Sequence, residues 1–423
     1  MKLWTDKDYP IIVSVAKHLA PWTEKELLSF GYKVIDKSEN TVVVRGSMRD
    51  VFRLNLYLRT AHRVLVPLLR CSCRHVRDLY RQVRTIDWEN LIDADGYVSV
   101  SGIFHNQTIR DTRLPALVCK DAIVDRIREV CGHRPDSGSG NEGAAIFVHW
   151  ERERVIVYID TSGIPLSKRG YRKIPGSAPM QETLAAAFID AMGWNGDTPF
   201  LSPMCGSGTP AIEAALKAIN RAPGSLRPRF AFMSIKGYDA IIPGESAPLT
   251  APRQRFGVTP SQIWKDMLTE AERNEKKDAP PIVATDISSE AVENAQTNAM
   301  AAGVQNFISF SACDFADSPI PQEKGCVFFN PEYGIRLGDP HELADVYYRI
   351  GEFMNEKCRG WTGTLITGNP SLAHQVNLYY STRIPFYNGP IDCRLFIYPG
   401  CEIKGNHNAE AELSTGLSNG VDK

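Results

Sequence analysis

The sequence of 423 residues is longer than one typical domain and predicts two or three domains. Its 43% hydrophobic and 23% charged residues are ordinary for a globular protein, which excludes a largely disordered chain. The formal net charge of −1 excludes a uniformly basic protein but allows local clusters of one sign.

The first seventy residues alternate short strand-like and helix-like patterns. Strand patterns cover Ile11 to Val15 and Thr41 to Val44, and helical spacing covers Thr23 to Phe30 and Asp50 to Leu58. This alternation predicts a small α+β unit.

Arginine is concentrated between residues 45 and 84, where ten arginines stand against two acidic residues. The planar guanidinium group of arginine can donate two hydrogen bonds at once to phosphate oxygens. The cluster therefore indicates a surface that contacts nucleic acid. Solvated helix faces are the alternative explanation. The candidate contacts chosen from this cluster are Arg70, Arg74, Arg77 and Arg81.

Residues 72 to 160 continue the mixed pattern and predict a second α+β unit. This stretch contains an alternating strand, a helix and two further strands, at Tyr97 to Phe104, Leu117 to Val130, Ala144 to His149 and Arg154 to Ile159. A segment rich in glycine, proline and basic residues follows and predicts a linker over residues 163–179. Further candidates for contact with nucleic acid in this linker are Lys168, Arg169 and Arg172.

A helix over Gln181 to Asp190 leads into a short apolar strand, a glycine-containing turn and an alanine-rich helix within residues 198–216. Gly206 and Gly208 lack a Cβ atom, so a ligand can approach this backbone closely. Thr209 is placed to cap the helix, whose N-terminal amides favour a carboxylate or a phosphate. A purely structural turn is the alternative.

Residues 221 to 277 are interpreted as an insertion, with a helix only from Pro260 to Lys276. Strand and helix patterns then alternate, which predicts a parallel sheet with helices on both faces. The strands cover Pro281 to Thr285, Phe307 to Ser311, Cys326 to Phe329 and Gly363 to Thr367, and the helices cover Ser289 to Ala302 and His341 to Cys358.

Polar residues follow three of these strands, at the edge of the sheet where ligands of α/β folds bind. Asp286 is placed to accept hydrogen bonds from the two hydroxyls of a ribose. Asp314, with Phe315 beside it, is placed to accept one from an adenine amino group. A helix cap or a turn is the alternative role of either aspartate.

The third strand is followed by Asn330-Pro331-Glu332-Tyr333. The amide oxygen of Asn330 and the carbonyl oxygen of Pro331 can accept both hydrogens of a planar exocyclic amine, while Tyr333 stacks on the base. This geometry exposes the nitrogen lone pair, as methyl transfer to an amine requires. A structural turn built from asparagine, proline and glycine is the alternative.

The ten cysteines are scattered, and no pair has Cys-x-x-Cys spacing. Cys71 and Cys73 cluster with His75, but neighbouring sequence supplies no further ligands, so we expect reduced thiols and no metal. No apolar run approaches the roughly 18 to 20 residues of a membrane span, and the N-terminus lacks a signal-peptide pattern. We therefore expect a cytoplasmic protein without membrane contact.

Seven stretches of sequence carry a family resemblance. They are, in chain order, Lys120 to Asp125, Arg169 to Arg172, Glu182 to Ala187, Leu201 to Thr209, Arg221 to Gly224, Asn330 to Leu337 and Asn388 to Cys393. In this order and spacing the chain resembles the THUMP-containing class I methyltransferases. It resembles in particular the family that methylates the guanine 2-amino group of large-subunit (23S) ribosomal RNA. The resemblance extends over residues 10 to 400.

The resemblance implies an α/β fold, in which a Rossmann-like class I methyltransferase sheet is preceded by a ferredoxin-like and THUMP α+β region that binds RNA. The implied domains are a ferredoxin-like region at 1–49, a THUMP domain at 50–162, a linker at 163–179, a methyltransferase domain at 180–404 and a disordered tail at 405–423.

The implied cofactor is S-adenosyl-L-methionine, and the implied partner is ribosomal RNA. Carried over residue by residue, Asp286 binds the ribose, and Asp314 with Phe315 binds the adenine. The methionine portion is bound by Cys205, Gly206, Ser207, Gly208 and Thr209. The target base is held by the catalytic residues Asn330, Pro331 and Tyr333.

Two residues depart from the family's pattern. Ser202 stands where the family usually has an aspartate, which removes a carboxylate near the cofactor's amino group. Glu332 replaces the second proline of the catalytic motif. These departures favour one alternative, a non-catalytic RNA-binding or ribosome-assembly protein of the same fold. A methyltransferase of tRNA guanine or of adenine amino groups in DNA is a further alternative, because adenine also offers an exocyclic amine.

Overall fold

A computed structural model of the chain describes residues 4, 8–106, 109, 111–140, 143–174, 180–240, 258–333, 340–389 and 391–403, without the side chains of 340–342. The chain divides into two compact units. One contains Met1–Arg169 and Ala222–Asn274, and the other contains Gly170–Arg221 and Glu275–Lys423. The tail predicted at 405–423 lies outside the described residues.

The secondary structure alternates strands and helices along most of the described chain. The strands are β1 (Tyr9–Ser14), β2 (Asp36–Lys37), β3 (Thr41–Gly46), β4 (Arg63–Ser72), β5 (Tyr97–His105), β6 (Asp136–Ser137), β7 (Ala144–Glu151), β8 (Arg154–Asp160), β9 (Phe200–Ser202), β10 (Ile282–Asp286), β11 (Ile308–Ala312), β12 (Cys326–Phe329), β13 (Thr362–Thr367), β14 (Thr382–Asn388) and β15 (Ile391–Tyr398). The helices are α1 (Ala20–Ser29), α2 (Met48–Tyr57), α3 (Val76–Val83), α4 (Leu114–Cys131), α5 (Glu182–Ala191), α6 (Thr209–Ala218), α7 (Pro260–Arg273), α8 (Ser289–Ala301), α9 (Pro340–Lys357) and α10 (Pro370–Ala373).

The first unit is built on a sheet with the strand order β2-β3-β1-β4-β8-β7-β5-β6 over its described residues. Strand β4 pairs antiparallel with both β1 and β8, so the strands of both predicted N-terminal α+β units share one sheet. Strand β4 was not predicted from the sequence, because its ten residues do not alternate cleanly between buried and exposed.

The segment predicted as an insertion packs on α2 of the first unit. The rings of Phe52 and Phe232 lie 4.6 Å apart, and those of Phe232 and Trp264 lie 5.1 Å apart. A Cβ atom on Gly224 would lie only 2.6 Å from the carbonyl oxygen of Asn55, so only glycine permits this close approach.

The second unit is built on a sheet with the strand order β11-β10-β9-β12-β13-β15-β14 over its described residues. The five strands from β11 to β13 in this order pair in parallel, which confirms the parallel sheet predicted from the sequence. Strands β15 and β14 extend the sheet in antiparallel pairing and were not predicted. Every residue of β9 and β12 is buried, as in a sheet covered on both faces.

Candidate active site

The order of the parallel strands reverses at β9, which has β10 on one side and β12 on the other. In open α/β sheets, ligands bind beyond the carboxyl ends of the strands at such a reversal. The glycine turn follows β9, Asp286 is the last residue of β10, and Asn330 follows β12, so all three stand at strand ends as the sequence predicted. These three features therefore share one edge of the sheet.

The two glycines of the turn have different structural roles. Gly208 has φ +86°, and a Cβ atom there would lie 2.8 Å from the Cβ of Ala295, so this glycine lets the turn approach α8. Gly206 has φ +52°, and among the described residues no atom beyond its two chain neighbours lies within 4 Å of its ideal Cβ position. The backbone of Gly206 therefore borders open space.

Asp286 ties the glycine turn to the end of β10. One carboxylate oxygen, Oδ2, accepts a hydrogen bond from the Gly206 amide at 2.9 Å, and Oδ1 accepts one from the Ser288 amide at 3.1 Å. A carboxylate has about four lone-pair positions, so acceptor capacity remains for two hydroxyl groups. Ile287, which the sequence analysis overlooked, follows directly and is 78% exposed.

Thr209 begins α6 but does not cap it, because the residue at the cap position is Gly208. The Thr209 hydroxyl instead accepts a hydrogen bond from Nη2 of Arg172 at 3.1 Å, and Nε of Arg172 donates to Glu182, also at 3.1 Å. These contacts correct two expectations from the sequence. Thr209 is not a helix cap, and Arg172 braces the start of α6 instead of presenting its side chain to RNA.

Asn298 on α8 is a further support of the turn that the sequence analysis overlooked. Its Nδ2 donates to the carbonyl oxygens of Ser207 and Ile174, both at 3.0 Å. Its Oδ1 accepts from the amides of Lys173, at 2.8 Å, and Ile174. This polar side chain is buried on the same face as Val292 and Ala295, which is the signal that would have identified it.

Two further residues of the turn region are buried. Ser202 ends β9, and no hydrogen-bond partner of its hydroxyl is found among the described residues. Burial raises the pKa of the Cys205 thiol, so this thiol stays protonated. A buried hydroxyl without a partner, open space beside Gly206 and free acceptor capacity on Asp286 fit a ligand with an amino-acid end and a ribose, as in S-adenosylmethionine.

Asp314 is held by a residue from another element. Its Oδ1 accepts hydrogen bonds from the Ala316 amide at 2.9 Å and from Nη2 of Arg349 on α9 at 2.7 Å. The guanidinium of Arg349 also lies 4.8 Å from the ring centre of Phe315. Burial is the largest single influence on the pKa of Asp314 and raises it, but the hydrogen bonds from Arg349 and the Ala316 amide, together with the charge of Arg349, outweigh burial and hold the pKa below its usual value. No sequence pattern indicated Arg349.

Asn330 and Tyr333 contact each other at the end of β12. The Tyr333 hydroxyl donates to Oδ1 of Asn330 at 2.7 Å. The buried Tyr347 supports this segment from behind, since its hydroxyl donates to the carbonyl oxygen of Glu332 at 3.1 Å and bonds Thr367 at 2.8 Å. The rest of the predicted motif, residues 334–337, lies outside the described residues.

The basic residues predicted to bind nucleic acid separate into two groups. Arg70, Arg74, Arg77, Arg81 and Lys168 are exposed. Arg169 is 1% exposed and donates to the carbonyl oxygens of Leu166, at 3.1 Å, and Arg59, at 2.6 Å. Arg169 therefore braces the backbone of the first unit, which corrects its predicted role as an RNA contact.

Within the described residues, no helix is long and apolar enough to cross a membrane. The same part of the chain contains no group of three or more side chains that could hold a metal ion.

Sequence comparison divides the chain into three matching regions. Residues 10–65 match the family described as the RlmL ferredoxin-like domain, and residues 73–160 match the THUMP domain. Residues 169–397, more than half of the chain, match the family described as RMKL-like, methyltransferase domain.

Two relatives illustrate the range of similar proteins. Ribosomal RNA large subunit methyltransferase K/L of Methylococcus capsulatus is 34% identical over 390 residues, which cover 90% of this chain and 50% of that protein. A Synechocystis protein, provisionally named an RNA methyltransferase, is 29% identical over 92% of this chain and 96% of its own length. The chain thus spans about half the length of the K/L relative and nearly all of the Synechocystis protein.

Solved structures share the fold over nearly the whole chain. A Listeria monocytogenes protein described as a predicted N6-adenine-specific DNA methylase has a TM-score of 0.78 and 29% identity, over 93% of this chain and 97% of that protein. A Clostridium difficile protein described as a possible methylase has a TM-score of 0.79 and 26% identity, over 93% of this chain and 98% of that protein.

Proposed function

This chain belongs to the RMKL-like methyltransferase family, whose methyl donor is S-adenosyl-L-methionine, and we propose that it methylates the exocyclic 2-amino group of a guanine in large-subunit ribosomal RNA. The proposal for the target rests on the sequence resemblance and on the names of the K/L relatives.

The observation that carries the proposal is the position of Asn330 at the end of β12, next to β9 and its glycine turn. A residue that holds a planar amine must lie beside the group that supplies the methyl. Adjacent parallel strands bring their carboxyl ends to one edge, so the amine-binding and cofactor-binding residues meet there.

Each residue has a defined task in this account. When bound, S-adenosylmethionine supplies an electrophilic methyl group on a sulfonium. The turn from Cys205 to Thr209 holds its amino-acid end, and Asp286 accepts hydrogen bonds from its ribose. Asp314 accepts a hydrogen bond from the adenine amino group. Phe315, the next residue in the chain, has a buried ring.

The target base is held by the segment after β12. The amide oxygen of Asn330 and the carbonyl oxygen of Pro331 accept the two amine hydrogens, which keeps the nitrogen lone pair free to attack the methyl carbon. Tyr333 stacks on the base, which must first leave its helical stack. Tyr347 keeps this segment in place through its bond to the Glu332 carbonyl.

The first unit supplies RNA affinity in this proposal. The exposed residues Arg70, Arg74, Arg77 and Arg81 lie within or beside the region that matches the THUMP domain. Cationic side chains on phosphate give affinity that falls with rising salt concentration. A ribosomal RNA target also implies a cytoplasmic site of action.

The proposal is tested by incubating the full chain with methyl-labelled cofactor and total RNA from cells that lack the protein. We expect label in large-subunit RNA, recovered as N2-methylguanosine after digestion. If the protein binds RNA with salt-dependent affinity but transfers no label, the enzyme proposal fails and the non-catalytic alternative replaces it.

The second candidate is methylation of an adenine amino group in DNA. It is favoured by the description of the Listeria monocytogenes protein and by the chemistry of Asn330, because adenine also offers an exocyclic amine. Digestion of the labelled product separates the two: label released by RNase supports the RNA proposal, and label released only by DNase supports the DNA alternative.

A further inference from the structure

Cys71 and Cys73, which have no task in the proposed reaction, lie at the end of β4 with their sulfur atoms 3.8 Å apart. Cys71 is partly exposed, whereas Cys73 is 1% exposed. A disulfide bond is about 2.05 Å long, so closure requires an approach of roughly 1.7 Å. Residues two positions apart in extended backbone have Cα atoms about 6.6 Å apart, near the upper end of the range for disulfides, so closure requires side-chain rotation together with a shift of the backbone.

The backbone holds both thiols on the same side of an extended segment. Cys71 pairs with Val155 of β8, and the Cys73 amide donates to the Glu153 carbonyl oxygen at 2.8 Å. Residues two positions apart in extended backbone point to the same face. The two sulfurs are therefore neighbours because the extended backbone places both side chains on one face.

The two thiols differ in the way that an attacking and a resolving cysteine differ. The hydrogen bond between the two thiols lowers the pKa of Cys71, against the opposing effect of burial. The hydrogen bond to Cys71, together with burial, raises the pKa of Cys73. The more exposed thiol therefore has the greater thiolate character, which is the form that reacts with oxidants.

We propose that Cys71 and Cys73 form an oxidisable dithiol whose reactant is a peroxide such as hydrogen peroxide. The Cys71 thiolate attacks one peroxide oxygen, the O–O bond breaks, and hydroxide leaves, which forms a sulfenic acid. The Cys73 sulfur then attacks the Cys71 sulfur, the S–O bond breaks, and the Cys73 proton leaves with the oxygen as water. In total the two thiols lose two electrons, and one peroxide becomes two water molecules.

Closure of the disulfide displaces the turn that leads into α3. In the reduced form, one oxygen of Asp78 accepts hydrogen bonds from the amides of Arg74 and His75, both at 3.1 Å. These bonds set the direction of α3 and of the exposed Arg77. Weaker RNA binding by the oxidised chain follows, and this consequence alone rests on the proposed RNA function.

The test uses the full chain, first reduced and then treated with hydrogen peroxide. Trypsin releases Cys71 and Cys73 together in the peptide of residues 71–74. We expect this peptide to become lighter by two hydrogens and to recover its mass on reduction with dithiothreitol. The Cys73→Ser variant accumulates the sulfenic acid at Cys71, which a dimedone label detects.

The matched control is Cys131→Ser, which removes an exposed cysteine at the end of α4 and leaves the dithiol intact. Its residue 71–74 peptide oxidises as in the original chain. The proposal is overturned if this peptide stays reduced while Cys131 oxidises, or if Cys71 proceeds to sulfinic acid with Cys73 still free.

RNA affinity of the reduced and oxidised chain is compared at one salt concentration. We expect several-fold weaker binding after oxidation, restored by reduction. Equal affinity of both forms contradicts the displacement of α3. If the reduced chain binds no RNA, the proposed function fails, and the peptide masses still decide whether the dithiol exists.

Discussion

The hydroxyl of Tyr333 donates a hydrogen bond to Oδ1 of Asn330 across 2.7 Å. This oxygen is the atom that we propose for the target amine, so base binding must replace the bond to Tyr333. A hydroxyl partner keeps the amide oxygen satisfied until the amine arrives. Once the base is bound, the ring of Tyr333 stacks on it.

Substitutions of Tyr333 separate the hydroxyl from the ring. Stacking on an aromatic ring contributes about 1–3 kcal/mol per base, so Tyr333→Ala is expected to lower kcat/KM for RNA by roughly 5- to 150-fold. Tyr333→Phe keeps the ring and is expected to retain most of the activity. Equal losses in both variants, measured by steady-state kinetics, would show that the hydroxyl and not the ring is the functional group.

The two glycines of the cofactor turn are expected to respond differently to alanine. Gly208→Ala forces a side chain against Ala295 at positive φ, so we expect a loss of about 2 kcal/mol or more in the free energy of unfolding. Gly206→Ala is strained by its positive φ, at a cost of about 1–2 kcal/mol, but contacts no further atom among the described residues, so it is expected to fold and to bind S-adenosylhomocysteine more weakly. Thermal unfolding and calorimetry measure the two effects. Unchanged affinity in Gly206→Ala contradicts the placement of the cofactor beside this turn.

Arg349→Met tests whether the arginine positions the side chain of Asp314 and keeps it ionised. Without the hydrogen bond from Arg349, burial raises the pKa of Asp314, so the carboxylate becomes protonated at a higher pH during acidification. A protonated Asp314 loses acceptor capacity, and the affinity for S-adenosylhomocysteine is therefore expected to fall at a higher pH than in the original chain. At neutral pH we expect the affinity for S-adenosylhomocysteine to fall only a few-fold, because exposed ion pairs contribute little free energy.

The matched control for this prediction is Arg359→Met, which removes an exposed arginine just beyond α9. Its affinity is expected to follow the pH profile of the original chain. Identical profiles for Arg349→Met and Arg359→Met, measured by calorimetry, would exclude a positioning role of Arg349. Partial recovery of the profile in Arg349→Lys would support that role.

Asn298→Ala removes the side chain that joins α8 to the glycine turn. The carbonyl oxygens of Ser207 and Ile174 lose their donor, and an unsatisfied buried group costs about 1–3 kcal/mol. For a unit of this size, we expect a melting temperature lower by roughly 2 to 12 °C together with weaker cofactor binding. Gln296→Ala, on the exposed face of the same helix, serves as the control. A variant as stable as the control would show that the turn does not depend on Asn298.

Structural features that depend on local sequence patterns could be predicted from the sequence. Parallel strands separated by helices predicted the catalytic sheet, and polar residues at strand ends predicted the positions of Asp286 and Asn330. These predictions succeed because period and strand polarity are encoded within a few neighbouring residues. The family resemblance added the roles that pattern alone left open.

Contacts between residues that are distant in sequence could not be predicted from local patterns. Arg172 was chosen for RNA because of its charge, yet its partners Glu182 and Thr209 come from two helices that only the fold brings to it. Arg349 lies 35 residues from Asp314 in sequence and carries no motif. Strand β4 joins the strands of two predicted units, which local alternation could not indicate.

The most direct test of the central claim is methyl transfer to RNA by Asn330→Ala. Loss of the amide oxygen removes the acceptor that frees the amine lone pair, and the loss of a group that acts in the transition state costs at least about a hundredfold in kcat. Labelled cofactor and RNA from cells lacking the protein give the rate, and a filter-binding assay gives RNA affinity. The account predicts a rate at least about a hundredfold lower with RNA affinity nearly unchanged. A near-normal rate would contradict it.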